Sequence, residues 1–131
     1  MTAQSRFPLL AAGLFGATGV ALGALGAHAL EAFLTERGMT HAWDSAARYQ
    51  LFHAVALLGG AGWLRVASGP MARKLIWASR CWSTGIVLFS GSLYVMAIGG
   101  PRWLGPITPL GGVALMTGWL FVLTAAFAKE E

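Results

Sequence analysis

The chain has 131 residues, of which 56% are apolar and 11% are charged, whereas soluble globular domains average about 45–50% apolar and about 25% charged residues. Together with a mean hydropathy of +0.65, this composition argues against a soluble globule, and the length allows one domain, residues 1–131. The formal net charge of +4 comes from basic residues that flank apolar segments, as membrane topology requires, so we expect no nucleic-acid partner.

The first apolar segment, Phe7–Ala29, contains no charged residue. It is long enough to cross a bilayer as a helix, and Pro8 in its first turn removes no needed hydrogen bond. A cleaved signal peptide is the alternative, because Arg6 precedes the segment and Ala27-His28-Ala29 has the small-x-small form of a cleavage site. The apolar core of a signal peptide has only about 7–15 residues, however, and more apolar spans follow here. We therefore interpret the segment as a retained membrane helix.

Small residues mark two opposite sides of this first helix. Gly19 and Gly23 form a small-xxx-small pair, the spacing that lets two membrane helices approach closely. Because both sides are small, two neighbours can pack against it, and we expect the first helix to be innermost in the bundle. The predicted packing positions on one side are Gly16, Gly19, Gly23 and Gly26, and the opposite side carries Ala17, Ala21, Ala24 and His28.

Three more apolar helices follow the first. Charged or turn-forming segments separate them, namely the loops Leu30–Arg48 and Arg65–Ser79 and a stiff connection rich in glycine and proline within residues 99–112. In that connection a plain turn is favoured over a segment that re-enters the membrane. The chain is thus predicted to be all-α, an integral membrane four-helix bundle of up-down topology. Its helices span approximately residues 7–29, 42–64, 76–98 and 110–128.

Basic residues fall unevenly on the two sides that four spans define. Six lie on the side with both termini and three on the other, so the positive-inside rule predicts a multi-pass protein of the inner membrane with both termini cytoplasmic. Arg80, inside the third helix, is interpreted as snorkelling to the cytoplasmic surface, with a buried counter-ion or a contact with an anionic headgroup as alternatives. The six are Arg6, Arg65, Arg73, Lys74, Arg80 and Lys129, and the three are Arg37, Arg48 and Arg102.

Polar side chains collect at one depth of the predicted bundle, in the outer half of the membrane or at its outer surface. Lipid cannot hydrogen-bond these groups, so they should face each other, a cavity or water. Tyr49, Gln50 and His53 share one face of the second helix, and we expect them to form a polar cluster, or a ligand pocket, with Ser90 and Tyr94. The full set is His28, Tyr49, Gln50, His53, Ser90, Ser92, Tyr94 and Thr108.

Four stretches of the chain occur in a familiar order. They are GATGVALGALGAHAL (Gly16–Leu30), YQLFHAVAL (Tyr49–Leu57), LFSGSLYVMAIGG (Leu88–Gly100) and LGPITPLGGVALMTGW (Leu104–Trp119). With them the chain resembles the small membrane-protein family that includes the bacterial YgdD and YwdK proteins and eukaryotic transmembrane protein 256. The resemblance covers nearly the whole chain and implies a four-helix integral membrane protein of unknown function. It implies no catalytic residue, substrate or cofactor.

His28 and His53 are the only histidines in the predicted spans. Two imidazoles across a bundle can bind haem iron axially or hold a metal, and histidine can relay protons. We favour a hydrogen bond between helices for both, because zinc needs further ligands and Cys81, the single cysteine, belongs near the opposite face of the membrane. Covalent haem is excluded by the absence of CxxCH.

Nucleophile and phosphate motifs are also missing. Ser90-Gly91-Ser92 does not match the G-x-S-x-G turn of a catalytic serine, and the glycine-rich stretch has no P-loop lysine. We therefore predict no catalytic residue, no metal and no cofactor.

Three functions remain open at this point. The favoured one is a non-enzymatic component that contacts membrane lipid or assembles, with a second copy or within a larger membrane complex. The second is a small conduit or carrier for protons or a small solute that uses the polar cluster. The third is a metal- or haem-binding redox protein that uses His28 and His53.

Overall fold

The computed structural model describes residues 1–129. Every regular element in that range is helical, so the all-α prediction is confirmed. In chain order the elements are α1 (Ala3–Ala27), α2 (Glu31–Glu36), α3 (Thr40–Trp63), α4 (Gly69–Gly85), a π-helical turn (Ile86–Ser90), α5 (Gly91–Ala97), a 3-10 turn (Arg102–Leu104) and α6 (Ile107–Ala125).

The first helix begins at Ala3, earlier than the apolar pattern predicts. The side chain of Thr2 accepts a hydrogen bond of 3.3 Å from the backbone N–H of Ser5, which satisfies one of the free donors at the helix start. Pro8 therefore lies in the second turn of α1 and not in the first, and it is buried.

α4 also begins earlier than predicted, at Gly69. Gly69 has a φ of +52°, which glycine adopts without strain, and Pro70 follows in the first turn, where its missing N–H costs nothing. Arg73 and Lys74 consequently lie on a helix and not in a loop. Nζ of Lys74 donates a 2.8 Å hydrogen bond to the carbonyl oxygen of Thr124 at the C-terminal end of α6, where a cation is favourable.

α4, the π-helical turn and α5 form one continuous rod, since Gly85 and Gly91 at its two junctions keep right-handed helical angles. At the π-helical turn α6 approaches very closely, because a Cβ added to Gly111 would overlap the backbone of Phe89. One turn further along, a Cβ on Gly85 would lie 2.5 Å from Cδ2 of Leu115. The rod and α6 thus pack almost backbone to backbone, as small residues permit in membrane proteins.

The connection from α5 to α6 is short and contains one 3-10 turn. α6 starts at Ile107, so Thr108 and Pro109 lie in its first turn and not in the connection. Proline is tolerated there because the first N–H groups of a helix have no partner inside it. The irregular part of residues 99–112 therefore ends at Pro106.

α3 and the rod occupy the middle of the bundle, and α1 and α6 lie on its outside. α1 runs antiparallel along α3, with Gly19 beside Leu51 and Gly26 beside Trp43. α6 runs along the rod in the same antiparallel manner. The four long helical segments thus alternate in direction.

The prediction that the first helix is innermost is wrong. Only one of its two small sides packs against a neighbour, and Ala17, Ala21 and Ala24 on the other side are exposed. Small residues permit a close approach, but they do not require a neighbour. α3 takes the inner position because it carries Gln50 and His53, whose polar groups need partners when they leave water.

Two buried clusters hold the helices together. The second of them lies at the end of the bundle away from the termini, where α2 folds over the helix ends, and Leu34 of α2 is only 1% exposed. The predicted loop Leu30–Arg48 therefore contains a short helix that its sequence did not indicate. The first cluster consists of Ala11, Ala12, Leu57, Ala78, Trp82, Ile86 and Leu115, and the second of Leu34, Trp43 and Ala97.

Two helical segments within residues 1–129, Ala3–Ala27 and Arg102–Ala125, are long and apolar enough to cross a membrane. Only 22% and 17% of the residues in their apolar windows are buried. The core helix of a soluble protein would be mostly buried, so these two helices present their apolar side chains outward. That is the arrangement expected when lipid is the solvent.

Candidate functional site

Gln50 of α3 joins three helices through its side-chain amide. Its Nε2 donates to the carbonyl oxygen of Phe15 at 3.0 Å and to Oγ1 of Thr18 at 2.8 Å, both on α1. Its Oε1 accepts a 2.8 Å hydrogen bond from the hydroxyl of Tyr94 on α5. The hydroxyl of Thr18 in turn donates a 2.7 Å hydrogen bond to the carbonyl oxygen of Leu14. The buried amide is therefore satisfied on both its donor and its acceptor side.

Two serines of the rod make further contacts between helices. Oγ of Ser90 donates a 2.7 Å hydrogen bond to the carbonyl oxygen of Ala46 on α3. Oγ of Ser92 donates to the carbonyl oxygen of Phe89 at 3.0 Å and lies 2.6 Å from Oγ1 of Thr108 on α6. Because a hydroxyl carries one proton, Thr108 is the donor of that last bond. Ser90 thus ties the rod to α3, and Ser92 ties it to α6.

His53 is buried between α3 and α6, and both nitrogens of its imidazole have partners. Nδ1 lies 2.7 Å from the carbonyl oxygen of Tyr49, and Nε2 lies 3.0 Å from Nε1 of Trp119. The indole can only donate, so Nε2 is the acceptor and Nδ1 carries the proton. The rings of Trp82 and Trp119, whose centroids are 4.8 Å apart, surround the imidazole.

The side chains of two residues of the predicted cluster make no hydrogen bond in this network, although the backbone of Tyr49 accepts one from His53. His28 follows the C-terminus of α1 and is exposed, and its backbone N–H bonds to the carbonyl oxygen of Ala24. Tyr49 is 44% exposed, and its ring packs on Phe89 with centroids 4.9 Å apart. Within the predicted set, the structure joins Gln50 to Tyr94 and Ser92 to Thr108. Ser90 and His53 bond instead to residues outside that set. The side chains of His28 and Tyr49 take no part.

The four glycines predicted to pack differ in what surrounds them. A Cβ on Gly19 would lie 2.8 Å from Cδ2 of Leu51, and one on Gly26 would meet the indole of Trp43. A Cβ on Gly23 would make an ordinary contact at 3.9 Å. At Gly16 a Cβ would meet nothing within 4 Å, so no close helix contact depends on this residue.

Sequence reasoning missed four residues of the network. Thr18 is the one polar side chain between Phe7 and Ala27, a signal strong enough to have placed it in the cluster. Trp43 donates a 2.7 Å hydrogen bond from Nε1 to the carbonyl oxygen of Leu22. No sequence signal distinguishes the indoles of Trp43 and Trp119 from lipid-facing anchors. Arg37, whose Nε donates a 3.1 Å hydrogen bond to the carbonyl oxygen of Ala97, was assigned to a loop.

The chemistry open to this arrangement is limited because its polar side-chain atoms are already paired, apart from the buried indole N–H of Trp82. Gln50 and the serines hold their protons in hydrogen bonds between or within helices, and the imidazole of His53 has no free lone pair for a metal or haem iron. Within residues 1–129 no group of three His, Cys, Asp or Glu side chains converges as a metal site would require. The network joins helices in neutral pairs.

The family described as "Protein of unknown function (DUF423)" matches residues 22–112 of the chain. The UPF0382 inner membrane protein YgdD of Escherichia coli (strain K12) is 40% identical over 132 residues, which are 97% of this chain and 94% of that protein. The chain belongs to this family. The UPF0382 membrane protein SERP0230 of Staphylococcus epidermidis is 42% identical over 106 residues, covering 81% of this chain and 83% of its own. SH2409, a UPF0382 membrane protein of Staphylococcus haemolyticus, is 39% identical over 108 residues, 82% and 84% of the two chains.

Membership in the DUF423 family confirms the resemblance drawn from the four sequence stretches. The relatives are named as membrane proteins, and the exposed apolar surface of α1 and α6 agrees with that. The chain is therefore a small membrane protein from a family of unknown function, as predicted. No solved structure matches it.

Proposed function

We propose that the protein crosses the inner membrane four times, with both termini in the cytoplasm, and acts without catalysis as an assembly component. Helix length supports four spans. α1, α3 and α6 have 25, 24 and 19 residues, close to the about 20 residues that a membrane crossing needs. The rod from Gly69 to Ala97 is longer still. Their alternating directions bring the start of α1 and the end of α6 to the same end of the bundle, which supports an even number of crossings.

The distribution of charge supports the orientation. The end of the bundle with both termini also holds the start of α4, so Arg73 and Lys74 count with Arg6 on that side. Basic residues near the cytoplasmic surface are favoured by the positive-inside rule. The acidic residues among those described lie at the opposite end, at Glu31, Glu36 and Asp44.

The observation that carries the assembly role is the uncovered small side of α1. Ala17, Ala21 and Ala24 share one face of the helix and are exposed, while the opposite face packs on α3. Gly13, at the start of the same face, has open space around it. Small residues on a lipid-facing surface allow a second membrane helix to pack closely there, and lipid chains pack less well against such a surface.

The pairing of the polar side chains supports a non-catalytic role. A general base, a nucleophile or a proton carrier needs a side chain whose proton or lone pair is free to be exchanged. In this network the side chain of Gln50 is fully used, and so are the hydroxyl protons of Ser90 and Ser92. The same argument weakens the conduit hypothesis, which needs groups that water or a solute can reach.

Disulfide crosslinking in native membranes tests the assembly role. We expect Ala21→Cys, in a Cys81→Ser background, to form a covalent complex at normal expression, either with its own copy or with another membrane protein. Val20→Cys is the matched control, because Val20 is also exposed but lies about 100° around the helix. The proposal is overturned if the two variants crosslink equally, or if Ala21→Cys yields no species other than the monomer.

Cysteine labelling tests the topology separately. Ser68 in the α3–α4 connection and Thr35 in α2 are both exposed at opposite ends of the bundle. A membrane-impermeant maleimide added to spheroplasts should label Thr35→Cys at once and Ser68→Cys only after permeabilisation. The reverse pattern would mean that the termini are outside the cytoplasm.

A further inference from the structure

A furrow runs along the surface between α1 and the rod. Three adjoining clefts of about 470, 300 and 360 Å³ form it, and Arg80 lines all three. The apolar part of its walls includes Phe7 and Leu14 from α1 and Ile76 and Val87 from the rod. The polar residues that line it are Gln4, Arg73, Arg80, Ser83 and Thr84. We call it the α1–rod furrow. It combines apolar walls with two cations, Arg80 and Arg73.

Arg80 lies deeper than the end of its helix. It follows Gly69 by three turns, which is about 16 Å along the axis. The rod from Gly69 to Ala97 is about 42 Å long, as thick as a bilayer with its headgroups, about 40–45 Å. The backbone of Arg80 therefore lies within the hydrocarbon region of the leaflet next to the termini. A charge there is costly unless it reaches the surface or meets an anion.

The guanidinium of Arg80 is held toward that surface. Its Cζ lies 5.1 Å from the ring centroid of Trp77, one turn nearer the start of α4, in the geometry of a cation–π contact. Helical side chains lean toward the N-terminus of their helix, so the stacking and the backbone direct the charge the same way. Arg73, one further turn along, lines the same end of the furrow.

No carboxylate of the described residues neutralises these two arginines. Among residues 1–129 the one ion pair joins Arg48 to Asp44 at 2.6 Å, at the opposite end of the bundle. Arg80 and Arg73 therefore present positive charge at the headgroup end of an apolar furrow. A molecule that complements both features has an anionic head and a hydrocarbon tail.

We propose that the α1–rod furrow binds one anionic phospholipid, whose phosphate pairs with Arg80 and Arg73 and whose acyl chain lies between α1 and the rod. The inference rests on the proposed four-span topology, which places this end of the bundle in the cytoplasmic leaflet. Ser83 and Thr84 line the furrow about one turn deeper in the membrane than Arg80, beside the acyl chain and not beside the phosphate.

Native mass spectrometry of the purified full-length protein in detergent tests the site. Dioleoyl phosphatidylglycerol is titrated against dioleoyl phosphatidylcholine, and soluble glycerol phosphate serves as a headgroup without chains. We expect one phosphatidylglycerol to bind with higher affinity than phosphatidylcholine, and Arg80→Gln to weaken it about fivefold. Arg65→Gln, which removes the same charge from the same end of the bundle outside the furrow, should leave the affinity unchanged.

Each result bears on the proposal directly. Equal binding of the two lipids, equal effects of Arg80→Gln and Arg65→Gln, or glycerol phosphate binding as tightly as the lipid overturns it. Arg80→Lys keeps the charge and should retain most of the affinity, and Arg73→Gln provides a second loss of binding if Arg80→Gln does not fold. The topology has its own test in cysteine labelling, so a reversed orientation and an absent lipid site give different results.

Discussion

Nε1–H of Trp119 donates a 3.0 Å hydrogen bond to Nε2 of His53 and so joins α6 to α3. Because Nε2 accepts this bond, the proton of the neutral ring lies on Nδ1, which donates to the carbonyl oxygen of Tyr49 at 2.7 Å. The imidazole is thereby held in one tautomer inside an aromatic cage that includes Trp82. The pair explains how a histidine is accommodated among apolar helices without a ligand.

A double-mutant cycle should detect this bond. Trp119→Phe keeps an aromatic ring and removes the donor, and we expect it to lower the free energy of unfolding by about 0.5–1.5 kcal/mol. His53→Ala should then cost less in the Trp119→Phe background than alone. Denaturation in detergent measures the free energy of unfolding of each variant. Trp63→Phe is the control, since the Trp63 side chain is exposed and its indole N–H makes no hydrogen bond within the described residues. Strictly additive effects would show that the two side chains are not coupled.

Haem titration addresses the redox hypothesis. A lone pair already used in a hydrogen bond is not available to iron. His28 is exposed just beyond the end of α1, whereas His53 is buried. We expect wild type and His53→Ala to give the same absorbance spectrum when haem is added to the purified protein. A six-coordinate haem spectrum that the substitution abolishes would restore His53 as a ligand.

Gln50 should be the polar side chain on which stability depends most. Gln50→Leu removes the acceptor of the half-buried Tyr94 hydroxyl and the donor to Thr18 at once. Leaving the Tyr94 hydroxyl unpaired costs about 1–3 kcal/mol, whereas Thr18 keeps its bond to Leu14. Tyr94→Phe removes one bond only and should cost less. Gln4→Leu makes the same change at an exposed position and serves as the control. Thermal unfolding in detergent ranks the three, and a Gln50→Leu variant as stable as the control would contradict the network.

Two adjacent glycines give a sharp test of the contact between α6 and the rod. A Cβ on Gly111 would overlap the backbone of Phe89, which cannot move as a side chain can, whereas a Cβ on Gly112 would make an ordinary contact at 3.9 Å. Gly111→Ala should therefore destabilise the fold by about 1–3 kcal/mol, and Gly112→Ala should not. Similar melting temperatures for the two variants would mean that the helices pack further apart.

On α1 the matched pair is Gly19 and Gly13. Gly19→Leu places a large side chain against Leu51 and Gln50, so we expect it to separate α1 from α3 and to lower stability by about 1–3 kcal/mol. Gly13→Leu extends into open space and should leave stability unchanged. If both variants unfold like wild type, the seam between α1 and α3 does not hold the bundle.

Several features of the fold followed from residues that act locally. Apolar length and the absence of charge in Phe7–Ala29 predicted a helix there, and the glycines at positions 19, 23 and 26 lie on the side of α1 that meets α3. The positions at which the helices start were harder to predict from the sequence. Thr2 and the pair Gly69-Pro70 extend α1 and α4 into polar sequence, because a cap or a proline in the first turn favours a helix whatever its hydropathy.

The candidate site was predictable as a group but not as a set of bonds. The helical period places Gln50 and His53 on one face of α3, yet it does not say that Gln50 meets α1 and α5 while His53 meets α6. Those partners depend on how far each helix is rotated and shifted against its neighbours. Backbone acceptors such as the carbonyl oxygens of Phe15 and Ala46 carry no sequence signal at all.

The amino-acid sequence by itself determined that the chain is helical, that it belongs in a membrane and which family it joins. The first two properties depend on the composition and hydropathy of whole segments, and the third depends on stretches that match the family in the same order along the chain. Only the tertiary structure decided that α3 and the rod, and not α1, occupy the middle, and that Arg80 faces an open furrow. A period of 3.6 residues gives the face on which a small or polar residue lies. It leaves undetermined which neighbour, if any, covers that face.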